Sequence, residues 1–177
     1  GVKAAIFNDI GRVGKMVILV GTLGKSTVID HLVRRRKIDS GPIAGKWESF
    51  FLQVVPNPLP GVSMALVIVG SDKRGTIYGI YDLAEQIGVS PWYWWADVPV
   101  QHKDALFVKP GKYQQGEPSV KYRGIFLNDE APDLSGWIAE KFGTIPPQKA
   151  PPIPPNVANY NSKFYARIFE VILRLKG

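Results

Sequence analysis

The stretch Val120–Glu130, VKYRGIFLNDE, constrains this chain most. An apolar run of strand length ends there in three polar side chains suited to chemistry. As a strand, the run sets Tyr122, Gly124 and Phe126 on one side and Arg123, Ile125 and Leu127 on the other. Asn128, Asp129 and Glu130 then fall where strand gives way to loop. In a barrel of parallel strands, that C-terminal rim carries the functional residues. A single strand cannot bury its own faces or satisfy its own backbone, so it needs partners.

Upstream, short apolar runs alternate with helical spacing. Met16–Gly21 reads as a buried strand, followed by a turn at Thr22–Lys25. Ser26 is placed to cap a helix running to Lys37, with Val28, Ile29, Leu32 and Val33 on one face. Ser40–Pro42 breaks that helix. Trp47–Val55 reads as a strand, Pro56–Gly61 (PNPLPG) as a turn-rich link, and Ala65–Gly70 as another strand. Gly75–Gly88 reads as a helix, with Ile77, Ile80, Tyr81, Ala84 and Ile87 inward and Gly88 as its stop. Strand, helix, strand, strand, helix predicts a small α/β layer domain over residues 1–117, a sheet with packed helices. Ser90–Pro99 is aromatic and rigid; Ala105–Val108 and Gly111–Tyr113 are short, strand-like pieces. Gly116–Pro118 reads as a hinge into a second domain, residues 118–177. There Ile145–Pro155, with six prolines, reads as an exposed loop. Phe164–Lys176 reads as a helix burying Phe164, Ile168, Val171, Ile172 and Leu175, with Arg167, Glu170 and Arg174 outside. One strand, one loop and one helix cannot close a sheet. The second domain is therefore expected to be the first βα unit of a larger, truncated (β/α)8 barrel.

Composition removes several chemistries. The chain has no cysteine, which excludes disulfides and thiolate catalysis. Its two histidines, His31 and His102, make a His-based metal site improbable, and no metal or cofactor is expected. No window reaches the roughly 18 apolar residues of a membrane span, so no membrane partner is expected. Gly1 is not a start Met, and no apolar segment follows a basic one as in a signal peptide, so a mature or trimmed chain is expected. The net charge of +7 reads first as a solvated basic surface. Arg34, Arg35, Arg36 and Lys37 form the only dense basic cluster. No nucleic-acid motif surrounds it, so no nucleic-acid partner is expected. A basic surface also suits an acidic polysaccharide. GTLGKST, Gly21–Thr27, imitates a phosphate-binding loop, but the spacing would need a glycine where Leu19 stands. It reads instead as a strand–turn–helix joint.

Glycoside hydrolysis needs two carboxyl groups flanking the scissile bond. Candidates are Glu85, Asp97, Asp129, Glu130 and Asp133. Asp129 and Glu130 are adjacent, so on a continuing strand they point to opposite sides. Asp129 is the preferred functional residue, with Asn128 as a hydrogen-bonding neighbour; a loop-capping role fits its spacing equally well. Glu85 lies near a helix end, where a solvated position is the plain alternative. Ser90–Trp95, SPWYWW, offers aromatic faces of the kind sugars bind, Trp94 among them, or else fills a domain interface. Arg74, beside Lys73, suits a sugar carboxylate as a bidentate partner, or is an ordinary residue at a helix start.

GSDKRGTIYGIYDLAEQIGVSPWYWWADVPV and GEPSVKYRGIFLNDEAP together closely resemble glycoside hydrolase family 115. NSKFYARIFEVILRLKG, GTLGKSTVIDHLV and GKWESFFLQVV extend the resemblance over nearly the whole chain. The resemblance implies the N-terminal portion of a xylan α-1,2-glucuronidase, which removes glucuronic acid or its 4-O-methyl ether by inverting hydrolysis without a metal. It implies an α/β domain beside a (β/α)8 barrel, with family acids at Glu85 and Asp129 and with Asn128 beside the latter. Asn128, Glu130, Arg74 and Trp94 are the expected substrate-binding residues. It further implies glucuronoxylan as partner and an extracellular enzyme, and it leaves a homodimer open. Relatives are several times longer, and barrel strands two to eight are absent here, so the chain alone is expected to be inactive. A non-catalytic carbohydrate-binding module is the alternative.

Overall fold

The computed structural model describes residues 5–7, 14–128, 132–149, 152–153 and 156–177. The chain divides into two compact units, Gly1–Lys121 and Tyr122–Gly177. In the first, β1 (Met16–Thr22), α1 (Thr27–Arg34), β2 (Phe50–Leu59), β3 (Val62–Gly70), α2 (Lys73–Gln86) and β4 (Lys112–Gln115) follow in order. The sheet order is β1-β3-β2-β4. β1 runs parallel to β3, from Met16 opposite Met64 to Thr22 opposite Gly70. β2 is antiparallel to both β3 and β4.

β3 is buried without interruption from Ala65 to Gly70, which is why its sequence is apolar throughout rather than alternating. Ala65, Val67 and Val69 face α1, packing with Ile29, Leu32, Phe51 and Val55. The alternate side faces α2, where Gly79 lies against Ile68 and Phe50. The two helices therefore cover opposite faces of the sheet.

α1 starts where expected: Ser26 Oγ accepts from the Ile29 amide at 3.4 Å. It ends at Arg34, short of the expected Lys37. Arg36 turns left-handed at φ 52°. The Arg36 amide then donates to Val33 O and the Lys37 amide to Leu32 O, each at 2.9 Å, closing a Schellman turn.

Three expectations for this unit are corrected. The PNPLPG link is mostly strand, since β2 runs to Leu59 with an irregularity between Pro56 and Leu59. The prolines are tolerated because β4 covers only Phe50–Gln53, leaving residues 56–59 without a strand on that side among the described residues. Ala105–Val108 forms no strand; the added strand is Lys112–Gln115. The inward face of α2 is Gly75, Tyr78 and Gly79, while Ile80 is exposed. Close helix–sheet approach decides this: a Cβ on Gly75 would strike the Ser49 carbonyl, and one on Gly79 would sit 2.7 Å from Ile68 Cγ2.

The second unit holds α3 (Asp133–Phe142), the two-residue strands β5 (Gln148–Lys149) and β6 (Pro152–Ile153), and α4 (Ser162–Arg174). Asn161 caps α4, its Oδ1 accepting from the Lys163 and Phe164 amides. Phe164 is fully buried, with the rings of Phe142, Tyr160 and Tyr165 at 5.8, 5.7 and 5.1 Å. α3 was not expected, although Leu134, Trp137, Ile138 and Lys141 carry helical spacing. Inside the proline-rich stretch, β5 and β6 form a minimal antiparallel pair. Arg174 is mostly covered, not outside, because Glu170 binds both Arg167 at 3.1 Å and Arg174 at 2.9 Å. Leu175, expected inside, is 41% exposed.

The expected strand Val120–Leu127 is irregular chain, with Tyr122 84% and Phe126 90% exposed. Among the described residues, no strand lies alongside to take its backbone hydrogen bonds. Arg123 Nε instead donates to Lys176 O at 2.8 Å, at the end of α4. No helix among the described residues is long and apolar enough to cross a membrane.

The glycines yield a test of sign. Gly75→Ala should destabilise by about 1–3 kcal/mol despite the better helix former, because the added Cβ meets backbone. Gly136→Ala in α3, with nothing within 4 Å, should stabilise by about 0.5–1 kcal/mol. Urea denaturation of both variants measures the contrast.

Candidate functional site

The densest polar arrangement lies at the head of α2, outside the C-terminal ends of β1 and β3. Helices on opposite faces begin there, the position where open α/β sheets leave a crevice. Asp72 is the N-cap of α2, and its Oδ1 accepts from the Gly75 amide at 2.7 Å. Its Oδ2 accepts from the Glu48 amide, also at 2.7 Å. That second bond pins Glu48, which is left-handed at φ 50° and only 8% exposed. Glu48 Oε1 stands 3.0 Å from Arg74 Nε. Arg74 also donates to the Tyr78 hydroxyl, from Nε at 3.1 Å and from Nη2 at 2.9 Å. These contacts, first the Tyr78 hydrogen bond and then the charges of Glu48 and Asp72, raise the Arg74 pKa above its ordinary value, against the opposing effect of burial. The guanidinium stays charged throughout.

Two further links hold the β-strand ends to the helix. Ser49 and Ser71 bond reciprocally: the Ser49 amide donates to Ser71 Oγ at 3.0 Å, and Ser71 Oγ donates to Ser49 O at 3.1 Å. The Thr22 and Thr76 hydroxyls are 2.7 Å apart. Ser49 is fully buried, and its hydroxyl donates to Trp47 O rather than to a side-chain base. The cluster is thus a clamp for the α2 head. Its two carboxylates are committed within it, Asp72 to the Gly75 and Glu48 amides and Glu48 to Arg74. Among the described residues no group of three or more His, Asp or Glu is placed to hold a metal ion.

Of the expected site residues, Arg74, Glu85 and Trp94 lie in the first unit and Asn128 in the second. Arg74 stands in the first turn of α2, its side chain 50% exposed and engaged with Glu48 and Tyr78. Glu85 lies exposed in the last turn of the same helix, roughly 16 Å further along its axis. Trp94 follows in the turn after α2, half-buried and edge-on to Trp95 with centroids 4.8 Å apart. Asn128 is exposed on irregular chain of the second unit. Asp129 and Glu130 lie outside the described residues. Of the other acids, Asp97 is exposed with φ 50°, and Asp133 opens α3.

Sequence reasoning missed Glu48, Asp72 and Tyr78. Two signals were available: Asp72 precedes Gly75 by the N-cap spacing, and Tyr78 stands four residues after Arg74 on a helix. The phosphate-loop lookalike is explained as well. The Gly24 amide, which such a loop would aim at phosphate, is taken by Asp30 Oδ1 at 2.9 Å.

Residues 115–177 match the model of glycosyl hydrolase family 115. A solved structure of a family GH115 4-O-methyl-α-glucuronidase, with specificity for decorated arabinogalactans, superposes with a TM-score of 0.73 at 34% identity over 90% of this chain. The chain is thus similar to glycoside hydrolase family 115. It spans 19% of that neighbour's length. No curated protein matches it. The family 115 match begins within β4, whereas the structural likeness takes in most of the first unit as well.

The clamp separates fold from chemistry. Asp72→Ala should cost about 2–4 kcal/mol, from the lost cap and an unpaired Glu48 amide. Glu85→Gln should change stability by less than about 0.5 kcal/mol, since the side chain is exposed. Thermal unfolding of the two variants checks both; equal losses would contradict the placement of Glu85.

Proposed function

We propose that this chain is the N-terminal portion of a glycoside hydrolase that removes glucuronic acid or 4-O-methylglucuronic acid from xylan side chains. The observation that supports this is the 34% identity, over 90% of the chain, to a 4-O-methyl-α-glucuronidase of family GH115. In this reading residues 1–117 are the α/β domain, and residues 118–177 are the first βα unit of a (β/α)8 barrel. The neighbour's specificity is for decorated arabinogalactans. The sugar removed, rather than the polymer beneath it, is therefore the feature most readily carried over. The enzyme is read as extracellular.

The mechanism proposed is inverting acid–base hydrolysis. One carboxyl group protonates the leaving oxygen, and another activates a water across a gap of about 6.5–9.5 Å. Asp129 and Glu85 are the acids of this chain assigned to the glucuronate pocket. Asn128, Glu130 and Trp94 line it. Arg74 is the proposed partner of the sugar carboxylate, and for that it exchanges its ion pair with Glu48, which its half-exposed side chain permits. The remaining barrel supplies the rest of the site, so these 177 residues alone are inactive. A second reading, a carbohydrate-binding module without catalysis, draws support from the layered first unit, whose α2-head acids Asp72 and Glu48 are committed to backbone amides and to Arg74.

Asp129→Asn in the longest form of the enzyme should lower glucuronate release from glucuronoxylan by about 10²–10⁴-fold, with stability unchanged. Anion-exchange chromatography of the products measures it. A rate near that of the unaltered enzyme would remove Asp129 from the mechanism.

A further inference from the structure

At the opposite end of the sheet from the α2 head, the N-terminal ends of β1 and β3 border an open groove of about 930 Å³. Lys15, His31, Arg35 and Lys37 line it, and residues 57–63, the β2–β3 connection, form its other wall. Among the described residues that line it, none is a carboxylate. The cations are held by fixed backbone. Lys15 O accepts from the Ser63 amide and from Ser63 Oγ, each at 2.8 Å, and from the Met64 amide at 3.2 Å. Arg35 and Lys37 stand on the Schellman turn that ends α1. The other wall includes the apolar residues Pro58, Leu59, Pro60 and Val62.

The carbonyls at the C-terminus of α1 carry a partial negative charge of roughly one half, which by itself repels anions. Three full positive charges, on Lys15, Arg35 and Lys37, outweigh it. The nearby Asp39 carboxylate does not line the groove and accepts from the Gly41 amide. A concavity of this size, in the range of about 300–1,000 Å³ that holds small ligands, suits a few sugar units rather than a duplex. Among the described residues that line it there is no Phe, Tyr or Trp, the broad platforms on which nucleobases stack.

We propose that this groove binds the uronate carboxylates of an acidic polysaccharide, resting on the reading of the enzyme as one that acts on glucuronate-bearing glycans. Lys15, Arg35 and Lys37 supply the charge, Arg35 as the bidentate partner, and the proline-rich wall meets the sugar C–H faces.

Affinity electrophoresis of the 177-residue chain tests this, in gels holding glucuronoxylan, uronate-free arabinoxylan or no polymer. Retardation is expected in glucuronoxylan alone. The double change Arg35→Ser with Lys37→Ser should weaken it about three- to tenfold, the effect of losing two exposed ion pairs. Lys149→Ser with Lys163→Ser, an equal charge change elsewhere, should leave it intact. No retardation, equal retardation in arabinoxylan, or equal loss in both double variants would overturn the proposal. So would a tighter shift on duplex DNA that disappears with Arg35 and Lys37, which would assign the groove to nucleic acid. Glucuronate release by the longer enzyme is read separately: release without retardation sinks the groove alone, and retardation without release sinks the hydrolase alone.

Discussion

The close approach of α2 to the sheet governs the first unit. It is possible only because Gly75 and Gly79 present no Cβ to Ser49, Ile68 and Phe50, and because Gly70 leaves room for Thr76. At that separation the helix N-terminus meets the strand ends directly, and Asp72 serves both its own helix and the Glu48 amide. Tyr78 is buried as a consequence, and Arg74 is drawn into an ion pair with Glu48. Larger residues at the glycines would push the helix out and dissolve the clamp.

What was legible in the sequence followed from local rules. β1 and β3 are apolar runs of strand length, and Ser26 is a helix cap; all three appear where periodicity and capping place them. The errors arose where tertiary contact overrides local preference. Prolines in residues 56–59 read as a turn, yet an edge position frees them from donating to a neighbour. The α2 face was read from its large apolar residues, while the true contact is made by its glycines. α3 went unread because its spacing is short and interrupted by Gly136.

The candidate site was harder to read, for a related reason. Residue types mark chemistry, but convergence depends on the fold. Arg74 and Glu85 share one helix and stand at its two ends. Tyr122 and Phe126 alternate as a strand would, yet they are exposed on irregular chain. The layered first unit is held by its own sheet.

The most direct measurement is of glucuronate released from 4-O-methylglucuronoxylan by the 177-residue chain itself, followed by NMR. The account predicts no free glucuronate at any enzyme concentration, from a chain whose circular dichroism shows the α/β unit intact. Sustained release would contradict it, since these residues would then hold a complete pair of catalytic carboxyl groups.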